Sequence, residues 1–191
     1  LSNDLALLNE DSIKIPKPYL ARHGLSAEML TGVVKSFSEL KVCVIGDLIV
    51  DEYVTCEALG MSQEDPTLVV TPTGHRRFLG GAGIVAAHAA GLGAKSTLIT
   101  VIGRDEVGDY AMGMLSKYGV EGAEVVDESR PTTLKQRFRA ENKTLLRVSH
   151  LHQNSVSAAI QEQLFAKVYA NLTDADLVVF SDFNYGCLPQ K

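Results

Sequence analysis

The chain has 191 residues, with 18 Lys and Arg against 23 Asp and Glu, a formal net charge of −5. Apolar residues make up 46%, aromatic residues 6%, and Trp is absent; this is the composition of a globular domain, able to bury roughly 70% of its unfolded surface. The acidic balance argues against a general nucleic-acid binder, and no apolar run approaches the ~18 residues of a membrane span.

The chain begins with Leu1 and stops just after an apolar segment, so a piece of a longer protein is expected. Residues 1–40 read as an N-terminal arm or linker followed by a helix. Pro16 and Pro18 mark the arm as extended through residue 25, and Ser26 caps a helix to about Phe37, with Leu30, Val33, Val34 and Phe37 on one stripe. KVCVIG (41–46) is a short apolar run closed by a turn, the pattern of a buried parallel strand. Residues 51–58 alternate polar and apolar, and 75–79 do so more loosely; both predict strands with one wet face. Gly80 and Gly81 open a helix of small residues to Gly91, with His88 packed or half-buried in it. Residues 95–102 read as a second buried strand, and 105–118 as a helix. Residues 132–140 and 143–149 flank the turn pair Glu141 and Asn142 as a hairpin. Ser155 can cap a helix to about Asn171, and 176–180 is a third buried strand.

Buried strands alternating with helices predict an α/β fold with a mainly parallel sheet flanked by helices. The wet stretches, about 52–79 and 130–149, carry too much charge to join that sheet. They predict a second, small sheet projecting from the first as a lid over the crevice at the strand ends.

Several residues in this frame can carry chemistry. Asp47 and Asp51 follow the first buried strand, where carboxylates can accept hydrogen bonds from sugar hydroxyls. For Asp51 a solvated strand entry is an equal alternative, and for Asp47 a turn cap is the better one. Gly80 and Gly81 allow close backbone approach to a ligand or a hinge, or simply a tight turn. Lys135, Arg137 and Arg139 share one strand face, which suits a phosphate, although a solvated edge strand defended by cations explains them equally well. G-x-G-x-x-A at 81–86 imitates a dinucleotide fingerprint, but the polar run 75–77 before it is not a buried strand. His150 and His152 lack companions for a metal site, and so do the three cysteines, Cys43, Cys56 and Cys187. With no disulfide framework and no secretory leader pattern, a cytoplasmic location is expected.

The motifs VCVIGDLIVD (42–51), GGA (80–82), GLGA (91–94) and IGRDEVG (102–108) together resemble the ribokinase-like (PfkB) carbohydrate kinases. SQEDP (62–66) with LVV (68–70), TLKQR (133–137) with LLR (145–147), and SDF (181–183) with Gly186 are similar to segments of bacterial heptose-7-phosphate kinases of ADP-heptose synthesis. The resemblance covers residues 36–191 and implies that 41–191 are the N-terminal half of a sugar-kinase domain. It implies ATP-dependent phosphorylation of a sugar or sugar phosphate, with Mg²⁺, by the full-length protein. Asp51 then binds sugar hydroxyls, Gly80 and Gly81 hinge the lid and touch sugar, Lys135 and Arg137 face the substrate from the lid, and Asp182 lines the site. The lid sheet is implied as a homodimer contact. No metal-binding residue is expected here, nor a catalytic one, because the family's catalytic Asp and nearly all of its ATP site lie further along the sequence. The chain departs from the pattern at Ile84, where the family has Asn, and at Tyr185, where the heptose kinases have Lys. Those departures motivate an alternative, a non-catalytic kinase-like sugar-binding or assembly protein.

Overall fold

The computed structural model describes residues 17–189. The chain falls into two compact units that divide after Phe37. In the first unit, α1 (Lys17–Arg22) and α2 (Ala27–Ser36) are short helices with no buried residue. Pro18 sits in the first turn of α1, where a missing N–H costs nothing. That corrects the expectation of an extended arm over 17–22; residues 1–16 lie outside the described residues. Ser26 caps α2 as expected, its hydroxyl accepting the Met29 N–H at 3.1 Å.

The second unit is a layered α/β structure. In chain order it contains β1 (Lys41–Gly46), β2 (Leu48–Met61), β3 (Leu68–Gly80), α3 (Gly81–Gly91), β4 (Lys95–Ile99), β5 (Val101–Ile102), α4 (Glu106–Lys117), β6 (Val120–Gly122), β7 (Val125–Val126), β8 (Leu134–Ala140), β9 (Lys143–His150), α5 (Ala158–Leu172) and β10 (Leu177–Ser181). The main sheet has the order β10-β1-β4-β6, and all its pairs are parallel. Its central strand buries both faces because alternate side chains enter two cores. Val42 and Val44 pack with Ala82, Ala86, Leu98 and Leu115 on the α3–α4 side, while Cys43 and Ile45 pack with Val156, Ile160 and Leu164 on the α5 side. Fully burying one such aliphatic side chain is worth about 1.5–3 kcal/mol.

The charged segments form a separate four-stranded sheet of order β3-β2-β8-β9. β2 pairs antiparallel to β3 and parallel to β8, and β8 pairs antiparallel to β9. The β8–β9 turn falls at Glu141 and Asn142, both left-handed at φ 46° and 65°, as a tight two-residue hairpin requires. The expectation of one wet face holds for β2 and for 75–79 of β3, where Arg77 and Leu79 turn inward. Most of the rest of β3 and most of β9 are exposed on both faces.

Other differences are local. The predicted strand 95–102 breaks at Thr100, which is 1% exposed. Its hydroxyl donates to the Gly46 carbonyl at 2.7 Å and accepts the Leu48 N–H at 3.3 Å. This ties the end of β1 to the start of the second sheet. Ser157, not Ser155, caps α5, with its oxygen accepting the Ile160 N–H at 3.4 Å. His88 is exposed rather than packed, because the small residues Ala82, Gly83, Ala86 and Ala87 take the inward face of α3. Among the described residues no helix is long and apolar enough to cross a membrane.

Candidate functional site

One face of the second sheet collects most of the candidate residues. Pleating puts Asp51, Tyr53 and Thr55 of β2 on the same side. The register sets Phe78 and Lys135 beside Asp51, Arg76 and Arg137 beside Tyr53, and Arg139 beside Thr55. Arg147 of β9 stands opposite Arg137. A protein of net charge −5 thus carries five cations, Arg76, Lys135, Arg137, Arg139 and Arg147, on one small face. Tyr53 is its aromatic centre. Its ring meets Phe78 edge-on at 5.8 Å, and the Arg137 and Arg139 guanidinium carbons lie 5.3 and 5.7 Å from its centroid. Asp51, Tyr53, Arg76, Phe78 and Arg139 line an open groove of about 810 Å³.

Asp51 sits at the base of this face. Arg137 Nη1 donates to Asp51 Oδ1. The side-chain hydrogen bond to Asp51, then its negative charge, holds the Arg137 guanidinium even more firmly protonated than usual. The other carboxylate oxygen faces Gly80, where an added Cβ would come within 2.6 Å of Oδ2. A side chain at position 80 would therefore have to displace the Asp51 carboxylate. Gly81 is constrained for a different reason. Its φ is +54°, and a Cβ there would lie 2.3 Å from the Asp47 carbonyl oxygen. That carbonyl accepts the Ala82 N–H at 2.9 Å, which closes the first turn of α3.

Asp182 follows β10 at the end of the main sheet. It is exposed, and its Oδ1 accepts the Asn184 N–H at 2.7 Å. Lys135 connects the two regions, with its ammonium above the rings of Phe183 and Tyr185, which closely follow Asp182 in sequence. The geometry therefore brings Asp51, Gly80, Lys135 and Arg137 together at the base of the lid, with the segment after Asp182 against them. Tyr53, Arg76 and Phe78 join the site but were not among the expected residues. Period-two spacing from Asp51 points to Tyr53; nothing in the sequence alone pairs it with Arg76.

Asp47 is a turn cap, the reading the sequence favours, but it acts over a long sequence distance. It is 4% exposed. Its Oδ2 accepts the N–H groups of Phe183 at 2.8 Å and Tyr185 at 3.2 Å, and its Oδ1 accepts that of Cys187 at 3.1 Å. Arg130 grips the same loop from the other side, donating to the carbonyls of Tyr185 and Asn154, both at 3.2 Å, while paired with Asp127. Burial, with the negative charge of Asp47 adding to it, pushes the Cys187 thiol up to about 12. It is neutral at physiological pH and no nucleophile.

The opposite face of the second sheet holds it to the main layer. Glu52 is 5% exposed and lies between Arg77 and Gln136 in register. It accepts from Arg77 Nε at 2.8 Å and Gln136 Nε2 at 2.5 Å. Arg77 also donates to Glu106 of α4 at 2.7 Å, and Tyr110 Oη donates to the Arg77 carbonyl at 2.7 Å. Burial alone raises the Glu52 pKa, but the hydrogen bonds from Gln136 and Arg77 outweigh it, leaving the carboxyl below its usual range. A depressed folded pKa stabilises above the unfolded value, about 4.3, and that stability is lost as pH falls through the folded value. Glu52→Gln is expected to cost about 1–3 kcal/mol at pH 7. In thermal melts the gap to wild type should close below about pH 4; a gap that is constant with pH would contradict the ion-pair account.

Comparison with known proteins follows the same outline. Residues 39–191 match the model of the pfkB family carbohydrate kinases. A D-beta-D-heptose 7-phosphate kinase of Bordetella bronchiseptica is 40% identical over 148 residues, covering 78% of this chain and 47% of that protein. A bifunctional protein HldE of Caulobacter vibrioides is 35% identical over 162 residues, covering 84% of this chain and 33% of that protein. The chain thus spans about a third to a half of the length of these relatives. Phosphofructokinase-2 from Escherichia coli superimposes with a TM-score of 0.54 at 17% identity, over 74% of this chain and 44% of that one, a likeness of fold. The parallel sheet with its projecting second sheet, the glycine pair beside Asp51 and the matched 39–191 span place this chain in the pfkB family of carbohydrate kinases.

Proposed function

We propose that these residues form the acceptor-binding part of an ATP-dependent carbohydrate kinase whose acceptor is a sugar phosphate of the heptose 7-phosphate type. The observation that carries this reading is Asp51 set beside Gly80 at the foot of a strongly cationic face. A polyol presents dense hydroxyl donors to a carboxylate, while a phosphate on the same molecule needs cations a few ångströms further along. Asp51 holds the sugar hydroxyls in this scheme. Gly80 and Gly81 give it backbone access, Lys135 and Arg137 meet the anionic end, and Asp182 borders the site. The cations neutralise the bound phosphate and so keep the acceptor from repelling a second, incoming phosphoryl group. The relatives named above as heptose 7-phosphate kinase and HldE support this substrate class.

ATP, with Mg²⁺, supplies the transferred phosphoryl group in such a reaction. In this reading neither is held by the described residues. No group of three His, Cys, Asp or Glu residues among them is placed to hold a metal ion. The N-terminus of α3 is closed by the Asp47 carbonyl. The catalytic base and the nucleotide site are assigned to residues outside these, and no step is routed through them. In this scheme the second sheet also pairs two copies, and the protein works in the cytoplasm.

A second reading, a kinase-like sugar-binding or assembly protein without catalysis, is favoured by Ile84, an apolar, half-buried side chain on α3. The two readings separate on a panel of free sugars and sugar phosphates, with binding to this chain measured by calorimetry and ATP consumption measured for a longer protein containing it. Tighter binding of sugar phosphates and turnover only by the longer protein are expected. Turnover by these residues alone would refute the assignment of the base elsewhere. Binding without turnover in the longer protein would favour the second reading.

A further inference from the structure

The second sheet and the end of the main sheet touch through a contact that the kinase reading does not use. Lys135 Nζ lies 4.8 Å from the Tyr185 ring centroid and 5.6 Å from that of Phe183. Both distances are within the range at which an ammonium is drawn to a ring face. The two rings are stacked, 6.5 Å apart with 22° between their planes. Their backbone is fixed in the main layer, because the Asp47 carboxylate accepts three N–H groups from Phe183, Tyr185 and Cys187, and Arg130 donates to the Tyr185 carbonyl. The lysine comes from β8 of the other sheet and stands in register beside Asp51.

We propose that Phe183 and Tyr185 are positioning residues. Their stacked rings hold the Lys135 ammonium and thereby fasten the second sheet to the strand end beside Asp182, independently of any sugar. The resemblance to heptose kinases gives this point a specific edge. A lysine at position 185 would set a second ammonium where Tyr185 offers a ring face, and would repel Lys135 instead of holding it. Tyr185 therefore offers a ring face where those kinases carry a cation, and the second sheet is held down in advance. This inference does not depend on phosphoryl transfer, so it can fail while the kinase reading stands, and the reverse.

The test uses the whole chain. In NMR spectra the ε-methylene protons of Lys135 should be shifted upfield by the rings in wild type and in Tyr185→Phe. They should return to the position of a solvated lysine in Phe183→Leu/Tyr185→Leu. Amide exchange in β8 and β9 should quicken by about two- to fivefold in Phe183→Leu/Tyr185→Leu and equally in Lys135→Met. It should not quicken further in the combined variant and should stay at the wild-type rate in Tyr185→Phe. An ordinary Lys135 shift in wild type would overturn the proposal, and that spectrum decides the geometry even where a variant does not fold. Additive exchange effects, or a Tyr185→Phe variant that behaves like Phe183→Leu/Tyr185→Leu, would overturn it as well.

Discussion

Asp51→Asn is expected to weaken binding of a sugar or sugar phosphate about ten- to a hundredfold, the loss of ~1.5–3 kcal/mol that follows when a charged acceptor is removed from hydroxyl donors. The substitution keeps the shape beside Gly80, so no cavity or clash accompanies it. It does turn an amide toward Arg137, which now donates to Asp51 Oδ1. That ion pair is about a quarter exposed on both sides, so its loss should cost no more than about 1 kcal/mol of stability. For a chain of this size the melting temperature should therefore fall by only about 2–4 °C. Calorimetric titration and a thermal melt on the same sample check both halves. Unchanged affinity would remove Asp51 from the site. A large fall in melting temperature would make it a structural residue. Arg137→Met is the companion variant, expected to weaken a sugar phosphate more than the corresponding free sugar.

Asp47→Ala should show the opposite balance, a large loss of stability. The carboxylate is almost wholly buried and accepts three backbone N–H groups of the loop after β10. Alanine leaves those donors without partners at ~1–3 kcal/mol each. Partial relaxation of the loop brings the expected total to about 3–5 kcal/mol, a fall of roughly 6–20 °C in melting temperature. The Phe183–Tyr185 platform would lose its anchor at the same time, so the upfield shift of Lys135 should disappear in any Asp47→Ala protein that still folds. Chemical denaturation gives the energy directly. A cost below about 1 kcal/mol would mean that water replaces the carboxylate readily and that Arg130 alone holds the loop.

Much of this layout is written locally. KVCVIG at 41–46 must be a strand buried on both faces, because β-branched and aliphatic residues fill it without alternation. Glu141 and Asn142 between two alternating runs specify the β8–β9 turn. Spacing also places Lys135, Arg137 and Arg139 on one face. Less legible are the boundaries set by single tertiary contacts. Thr100 sits in a run that looks continuous, yet its hydroxyl bonds to Gly46 and Leu48, 54 and 52 positions earlier, and the strand breaks there. His88 reads as packed or half-buried only until the turn of α3 is known. Among strands, β6 and β7 leave no signal because three- and two-residue segments are too short to show a period.

The same division runs through the candidate site. By itself, the order of residues determined the chemistry available: two carboxylates after a buried strand, a glycine pair, a run of cations at alternate positions, and an acidic strand end. Periodicity and turn chemistry act over a few residues, so they survive in a one-dimensional reading. Tertiary structure alone decided who meets whom. It set Asp51 against Gly80 and Arg137, put Lys135 over rings some fifty positions away, and turned Asp47 from a local cap into the anchor of a distant loop. Those pairings depend on strand order and register across two sheets, which are settled by packing of the whole layer and leave no local mark in the sequence.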